Sequence, residues 1–281
     1  MREEVGGVGR GQIFVHRRFI VGWLVCFGVL SGLLSGCLTT VSSEREVDPV
    51  GLAAAVRDVG LDSMRQGNYA MAIRTLQEAQ RQNPNDPKTY AGLGEAYRSK
   101  GLLAEAEVNF LLALETDPDP QSEDRQNATL TLAAVYIQLE QYPDAEVLCQ
   151  ILIDDPTYAS PWIALTNRGW AQYKSGQFGE ARSSYEEALD FRSDYAVAHF
   201  NLGILDQEQG RWLDSIHQLD LVTDSKQMSL AAQAEAHFRI GEIYMTLGRR
   251  DKAVLHFKSS NEKAPESESG GKSHSYLEML L

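Results

Sequence analysis

The sequence predicts an all-α solenoid, a stack of about six helix–turn–helix repeats, and three observations carry that reading. Glycines stand at Gly67, Gly101, Gly176, Gly210 and Gly248, and two residues after each comes Tyr69, Leu103, Phe178, Trp212 or Arg250. A small residue follows each glycine by five, as Ala72, Ala106, Ala181, Ser215 and Ala253, and another glycine precedes it by seven, as Gly60, Gly94, Gly169, Gly203 and Gly241. The pattern has a 34-residue period, and a period of that length marks stacked supersecondary units. The segments between glycines carry apolar residues at helical spacing. Over 103–115, for example, Leu103, Ala106, Phe110, Ala113 and Leu114 fall on one side.

In chain order, residues 1–36 read as an address. Arg2, Arg10, Arg17 and Arg18 precede an uncharged, mostly apolar run over 19–36, the layout of a secretory signal. The run is long enough to be weighed as a membrane span, but its four glycines and two serines make a poor one. It ends in Leu34-Ser35-Gly36-Cys37, which resembles the lipobox of bacterial lipoproteins. The resemblance implies cleavage before Cys37, with a covalent diacylglycerol and an N-acyl chain on that residue and no other cofactor. More than one acyl chain gives stable anchoring without a span. Leu38, where an aspartate would retain the protein at the inner membrane, implies the periplasmic face of the bacterial outer membrane. Residues 37–52 then read as the lipidated cysteine and a flexible tether.

The repeats follow at 53–86, 87–120, 126–157, 162–195, 196–229 and 234–267. They resemble the tetratricopeptide repeat (TPR), a 34-residue helix–turn–helix unit. In the 87–120 copy, Tyr90, Leu93, Gly94, Tyr97, Ala106, Phe110, Ala113 and Pro118 fall on that family's signature positions. The third copy departs, with Glu140 at the turn glycine and Ala133 at the helix glycine, but keeps Leu132, Tyr136, Tyr142 and Ala145. The fourth has Arg168 where leucine is usual, and the fifth has Ser215 for alanine. Residues 268–271 read as a loop and 272–281 as a short helix that caps the last repeat with Tyr276, Leu277 and Leu280.

Composition narrows the function classes. The formal charge of −13 argues against a nucleic-acid partner, whose phosphates need a clustered basic face. Three cysteines make neither a disulfide scaffold nor a four-cysteine zinc site. The six histidines follow no HExxH spacing, and His199 and His237 hold one equivalent repeat position, where packing outweighs ligation. Cys149 falls at an inward position and reads as a buried, inert thiol. No catalytic residues and no metal site are expected, so the chain is read as a non-enzyme.

What remains is the groove that the resemblance implies along the first helices of the repeats. Projected onto this chain, its richest stretch carries Asn167, Trp170, Tyr173 and Lys174, then Phe200, Asn201 and Ile204, then Phe238 and Arg239. Aromatic residues are enriched at binding hot spots. Asn167 and Asn201 hold equivalent positions one repeat apart. They either bond the backbone of an extended peptide, as asparagines do in peptide-binding relatives, or brace neighbouring helices. Trp170 and Phe200 are open to a second reading as packing between repeats.

The wording of Tyr158 to Trp212, with TNRGWAQYK and HFNLGILDQEQGR, is similar to the type IV pilus biogenesis lipoproteins, the pilotin group of PilW, PilF and Tgl. Lipobox and six repeats agree with that group. The resemblance implies a scaffold that carries secretin subunits to the outer membrane and promotes their assembly. The alternative is an envelope adaptor that docks peptidoglycan enzymes or proteases.

Overall fold

The computed structural model describes residues 48–281. The signal, Cys37 and most of the tether lie outside the described residues. Within them the chain forms thirteen α-helices, twelve of them paired as hairpins. The pairs are α1 (Pro49–Arg65) with α2 (Tyr69–Gln82), α3 (Pro87–Ser99) with α4 (Leu103–Thr116), and α5 (Glu123–Gln138) with α6 (Tyr142–Asp154). Next come α7 (Pro161–Lys174) with α8 (Phe178–Phe191), α9 (Ala196–Glu208) with α10 (Trp212–Asp220), and α11 (Leu230–Thr246) with α12 (Arg250–Lys263), then α13 (Glu268–Leu280). No described helix is long and apolar enough to cross a membrane.

Each hairpin turns on a residue in the left-handed region. The five turn glycines have φ of 70–83°, and Glu140 takes φ 61° in their place. Glycine enters this region freely, whereas a Cβ is crowded there.

The glycines inside the first helices answer a different demand. Sixteen residues after each comes a large side chain from the second helix, and an added Cβ would run into it. A Cβ on Gly94 would lie 2.9 Å from the Phe110 ring, on Gly169 2.6 Å from Tyr185, and on Gly241 2.6 Å from Phe257. Gly60 with Leu76 and Gly203 with Leu219 repeat the arrangement, at 2.7 Å each. In the third hairpin the two changes compensate. Ala133 brings a Cβ, and Cys149, smaller than the leucines and rings opposite the glycines, leaves room for it; both are fully buried in one cluster.

Successive first helices approach one another along the series α1, α3, α5, α7 and α9, while second helices contact no second helix in the same way. First helices therefore line the inner face. Between α9 and α11 this contact thins, because α10 is short and a turn segment over 221–229 intervenes. Arg239 spans the gap, donating from Nη1 to Gln207 Oε1 at 3.1 Å.

Two boundaries differ from the sequence reading. Residues 49–52, expected in the tether, are helical. Asp48 accepts from the Val50 N–H at 3.1 Å and Pro49 opens the helix, a start that favours both residue types. Residues 268–271, expected as a loop, are the first turn of α13. Ser267 Oγ caps it by accepting from the Gly270 N–H at 3.1 Å. Gly270 is needed for close approach, since a Cβ there would lie 2.1 Å from the Ala264 carbonyl oxygen. The cap itself packs as expected: Tyr276, Leu277 and Leu280 close over Phe238, Ala253 and Phe257.

Candidate partner-binding groove

The fourth and fifth hairpins present the open part of the groove. On α7, Trp170 and Tyr173 are half-buried, with ring centroids 5.0 Å apart in a stacked pair. Exposed Lys174 sets its Nζ 5.7 Å above the Trp170 ring. Phe178, at the start of α8, extends the aromatic row, its ring 5.9 Å from Tyr173. The Tyr173 hydroxyl donates to Glu208 on α9. Burial first, and then this carboxylate, raise the phenol pKa.

Asn167 is partly exposed and Asn201 is 9% exposed. Neither side chain takes part in the hydrogen bonds of the described residues, so the bracing role has no bond to support it. The two amides stand one repeat apart on successive inner helices, Asn167 partly open and Asn201 nearly buried.

Four sequence-assigned groove residues are placed differently. Phe238 is 6% exposed. Its ring lies 6.0 Å from Phe257 and 6.1 Å from Tyr276, with Lys272 Nζ 5.8 Å away. The cap helix α13 takes the place of a next inner helix and covers the inner face of α11. Ile204 is 5% exposed, within the buried run 201–206. A helix apolar round most of its circumference is buried on all sides. Phe200 is only half-open, because it packs against Leu219 and Val222 of its own repeat and Ala236, Ile240 and Ile243 of the following one. Arg239 is tied down by Glu235 Oε1 at 2.7 Å and by Gln207. Glu242, beside it, has its pKa raised by burial.

Cys149 is fully buried, and burial pushes its thiol up to about 12, out of the nucleophilic range at neutral pH. His199 bonds Gln218 Oε1 at 2.6 Å and the Ser193 carbonyl at 3.0 Å. No group of three or more potential metal ligands occurs among the described residues.

A polar column went unrecognised in the sequence. Tyr97, Tyr136 and Tyr244 hold one position near the end of the inner helices, while α7 and α9 carry Gln172 and Asp206 there. Asp206 is 1% exposed and pairs with Arg182 of α8 and, at 2.7 Å, with Arg211. Gln172 donates to Glu146 of α6 at 3.2 Å and accepts from Ser184 at 2.7 Å. Aligning the copies would have exposed both exceptions.

Fold and groove together define a helical-repeat scaffold of the kind that binds other proteins. Family models agree along the chain: one described as tetratricopeptide repeat matches residues 59–123, one described as TPR repeat matches 169–210, and a further tetratricopeptide repeat model matches 234–263. The chain carries tetratricopeptide repeats. It is 35% identical over 89 residues to cellulose synthase operon protein C of Escherichia coli strain K12, which is 32% of this chain and 8% of that protein. It is 32% identical over 94 residues to the mouse Superkiller complex protein 3, which is 34% of this chain and 6% of that one. Among solved structures it is similar to PilW, a type IV pilus biogenesis factor, with TM-score 0.67 and 21% identity over 79% of this chain and 97% of the other. It is also similar to pilF of Pseudomonas aeruginosa, with TM-score 0.64 and 14% identity over 81% of this chain and 99% of the other. At such identities these likenesses establish a common fold.

Proposed function

We propose that this protein is a lipid-anchored assembly scaffold of the bacterial outer membrane that holds a segment of a type IV pilus secretin in its inner groove. The observation that carries binding is the placement of the unbonded amides of Asn167, partly open, and Asn201, nearly buried, on the same two inner helices as the half-open rings of Trp170, Tyr173 and Phe200. Packed helices lie about 8–10 Å apart and an extended chain advances about 3.3 Å per residue. An extended segment would therefore meet the second amide about three residues after the first. Its apolar side chains would lie on the rings. The pilus assignment draws support from the wording of Tyr158–Trp212 and from fold likeness along nearly the whole of PilW and pilF.

In the proposed arrangement Cys37 supplies the membrane address and the solenoid supplies the grip. Deleting the gene is expected to abolish heat-stable secretin multimers and leave cell shape unchanged. Unchanged multimers with altered wall growth would replace this reading with the adaptor of peptidoglycan enzymes. Cys37→Ala is expected to yield a folded protein outside the outer-membrane fraction. Its recovery in that fraction would refute the lipid address.

A further inference from the structure

His237 of α11 and His256 of α12 meet across the last hairpin, Nδ1 to Nδ1 at 3.2 Å, with ring centroids 5.3 Å apart. Between two neutral imidazoles this contact holds one proton: one Nδ1–H donates and the other Nδ1 accepts. A singly protonated pair can keep the bond. A doubly protonated pair cannot, because two charged N–H donors then point at each other. Both rings are partly buried, so water screens the repulsion less than at the surface.

The surroundings add little to absorb a second proton. On α11, the Tyr244 ring lies 5.5 Å from His256. On α12, Lys252 sits 5.1 Å above Tyr244, and Lys263 donates to Asp224 at 2.8 Å and to Gln233 at 2.9 Å. Both lysines oppose further positive charge here. Asp220, at the end of α10, and Asp224, in the turn that follows, favour it from a distance, and neither bonds a ring. Burial and then the partner imidazole push His237 down to about 4, and burial lowers His256.

We propose that His237 and His256 form an acid-released latch: neutral, they join α11 to α12, and doubly protonated they part these two helices of the last hairpin. The last hairpin holds Phe238 under α13 and anchors Arg239 at the end of the groove, so release would loosen that end while α1–α8 stay closed. The direction follows from linkage. The unfolded histidines titrate near the ordinary value of about 6.5 and the native pair lower. The latch is therefore at full strength above about 6.5 and weakens as pH falls from there toward about 4.

Hydrogen exchange on the full-length chain, corrected for the intrinsic pH dependence of exchange, reads this directly. Between pH 7.5 and 5.0, protection over 230–280 is expected to fall about tenfold while that over 49–191 holds. A pKa shift to about 4 would give about thirtyfold if fully realised, and solvent access to the rings reduces it. His256→Gln keeps a hydrogen-bonding partner for His237 without a second charge, and is expected to cut the loss, with the burial of His237 keeping part of it. His237→Phe, a ring with no titratable nitrogen, serves as the second variant. Uniform loss along the chain would overturn the latch. So would a tenfold loss in both variants, because His199, His217 and His274 remain in each.

Discussion

The paired demand of an inner-helix glycine and its opposing side chain can be measured at Gly169. In Gly169→Ala the new Cβ would lie 2.6 Å from Tyr185 Cε1 and 2.8 Å from Cδ1. Carbon atoms pack at about 3.5–4.0 Å, so the ring must retreat by about 1 Å. Tyr185 is fully buried and has no free side to move into. Overpacking of this kind costs about 1–3 kcal/mol, and the close approach points to the upper end. Alanine recovers about 1 kcal/mol of helix propensity over glycine. The net loss is expected near 2 kcal/mol, or about 4–8 °C in melting temperature for a domain of this size. In a Tyr185→Cys background, which copies the Ala133–Cys149 pairing of the third hairpin, the same change is expected to gain up to about 1 kcal/mol. Urea denaturation followed by circular dichroism on all four members of the cycle should therefore give a coupling of about 3 kcal/mol. If Tyr185→Cys leaves too little stability to measure, the mirror cycle of Ala133→Gly with Cys149→Leu asks the same question. Equal cost of the glycine substitution in both backgrounds would refute the argument.

Three further outcomes are expected. Glu140→Gly should stabilise by about 1 kcal/mol, because the strained φ becomes free; an unchanged urea midpoint would count against it. Asp206→Ala strands Arg182 and Arg211 beside a buried hole and should cost about 3 kcal/mol, at the low end for a broken buried pair because both arginines reach solvent. Asp206→Tyr, the residue type of three other repeats, should recover part of that loss, and a cost below 0.5 kcal/mol for the alanine variant, on the order of a neutral surface change, would show the pair to be idle. Trp170→Ala should weaken capture of the partner from solubilised envelopes at least tenfold with little change in melting temperature, whereas Phe200→Ala should lower both, since Phe200 packs into the next repeat.

Much of the fold was legible because each repeat repeats a local physical demand. A turn glycine permits a left-handed residue, an inner glycine admits a ring, and a small residue lets two helices close. These demands act over at most sixteen residues, so their spacing survives in the sequence. The helix starts at Pro49 and Glu268 were missed because capping by Asp48 and Ser267 outweighed the breaker look of Gly51, Gly270 and Gly271.

The sequence by itself determined the α-solenoid, its hairpin boundaries within the repeats and the apolar character of the inner helices. Tertiary structure alone decided which inner residues stay open. Phe238 and Phe200 sit at inner positions like Trp170, yet α13 covers the first and the following repeat half-covers the second. Exposure depends on what lies one helix further along, and that neighbour is set by packing across the stack, where no short spacing records it. The same holds for Asp206 with its two arginines and for His237 with His256, pairs made only when separate helices are brought together.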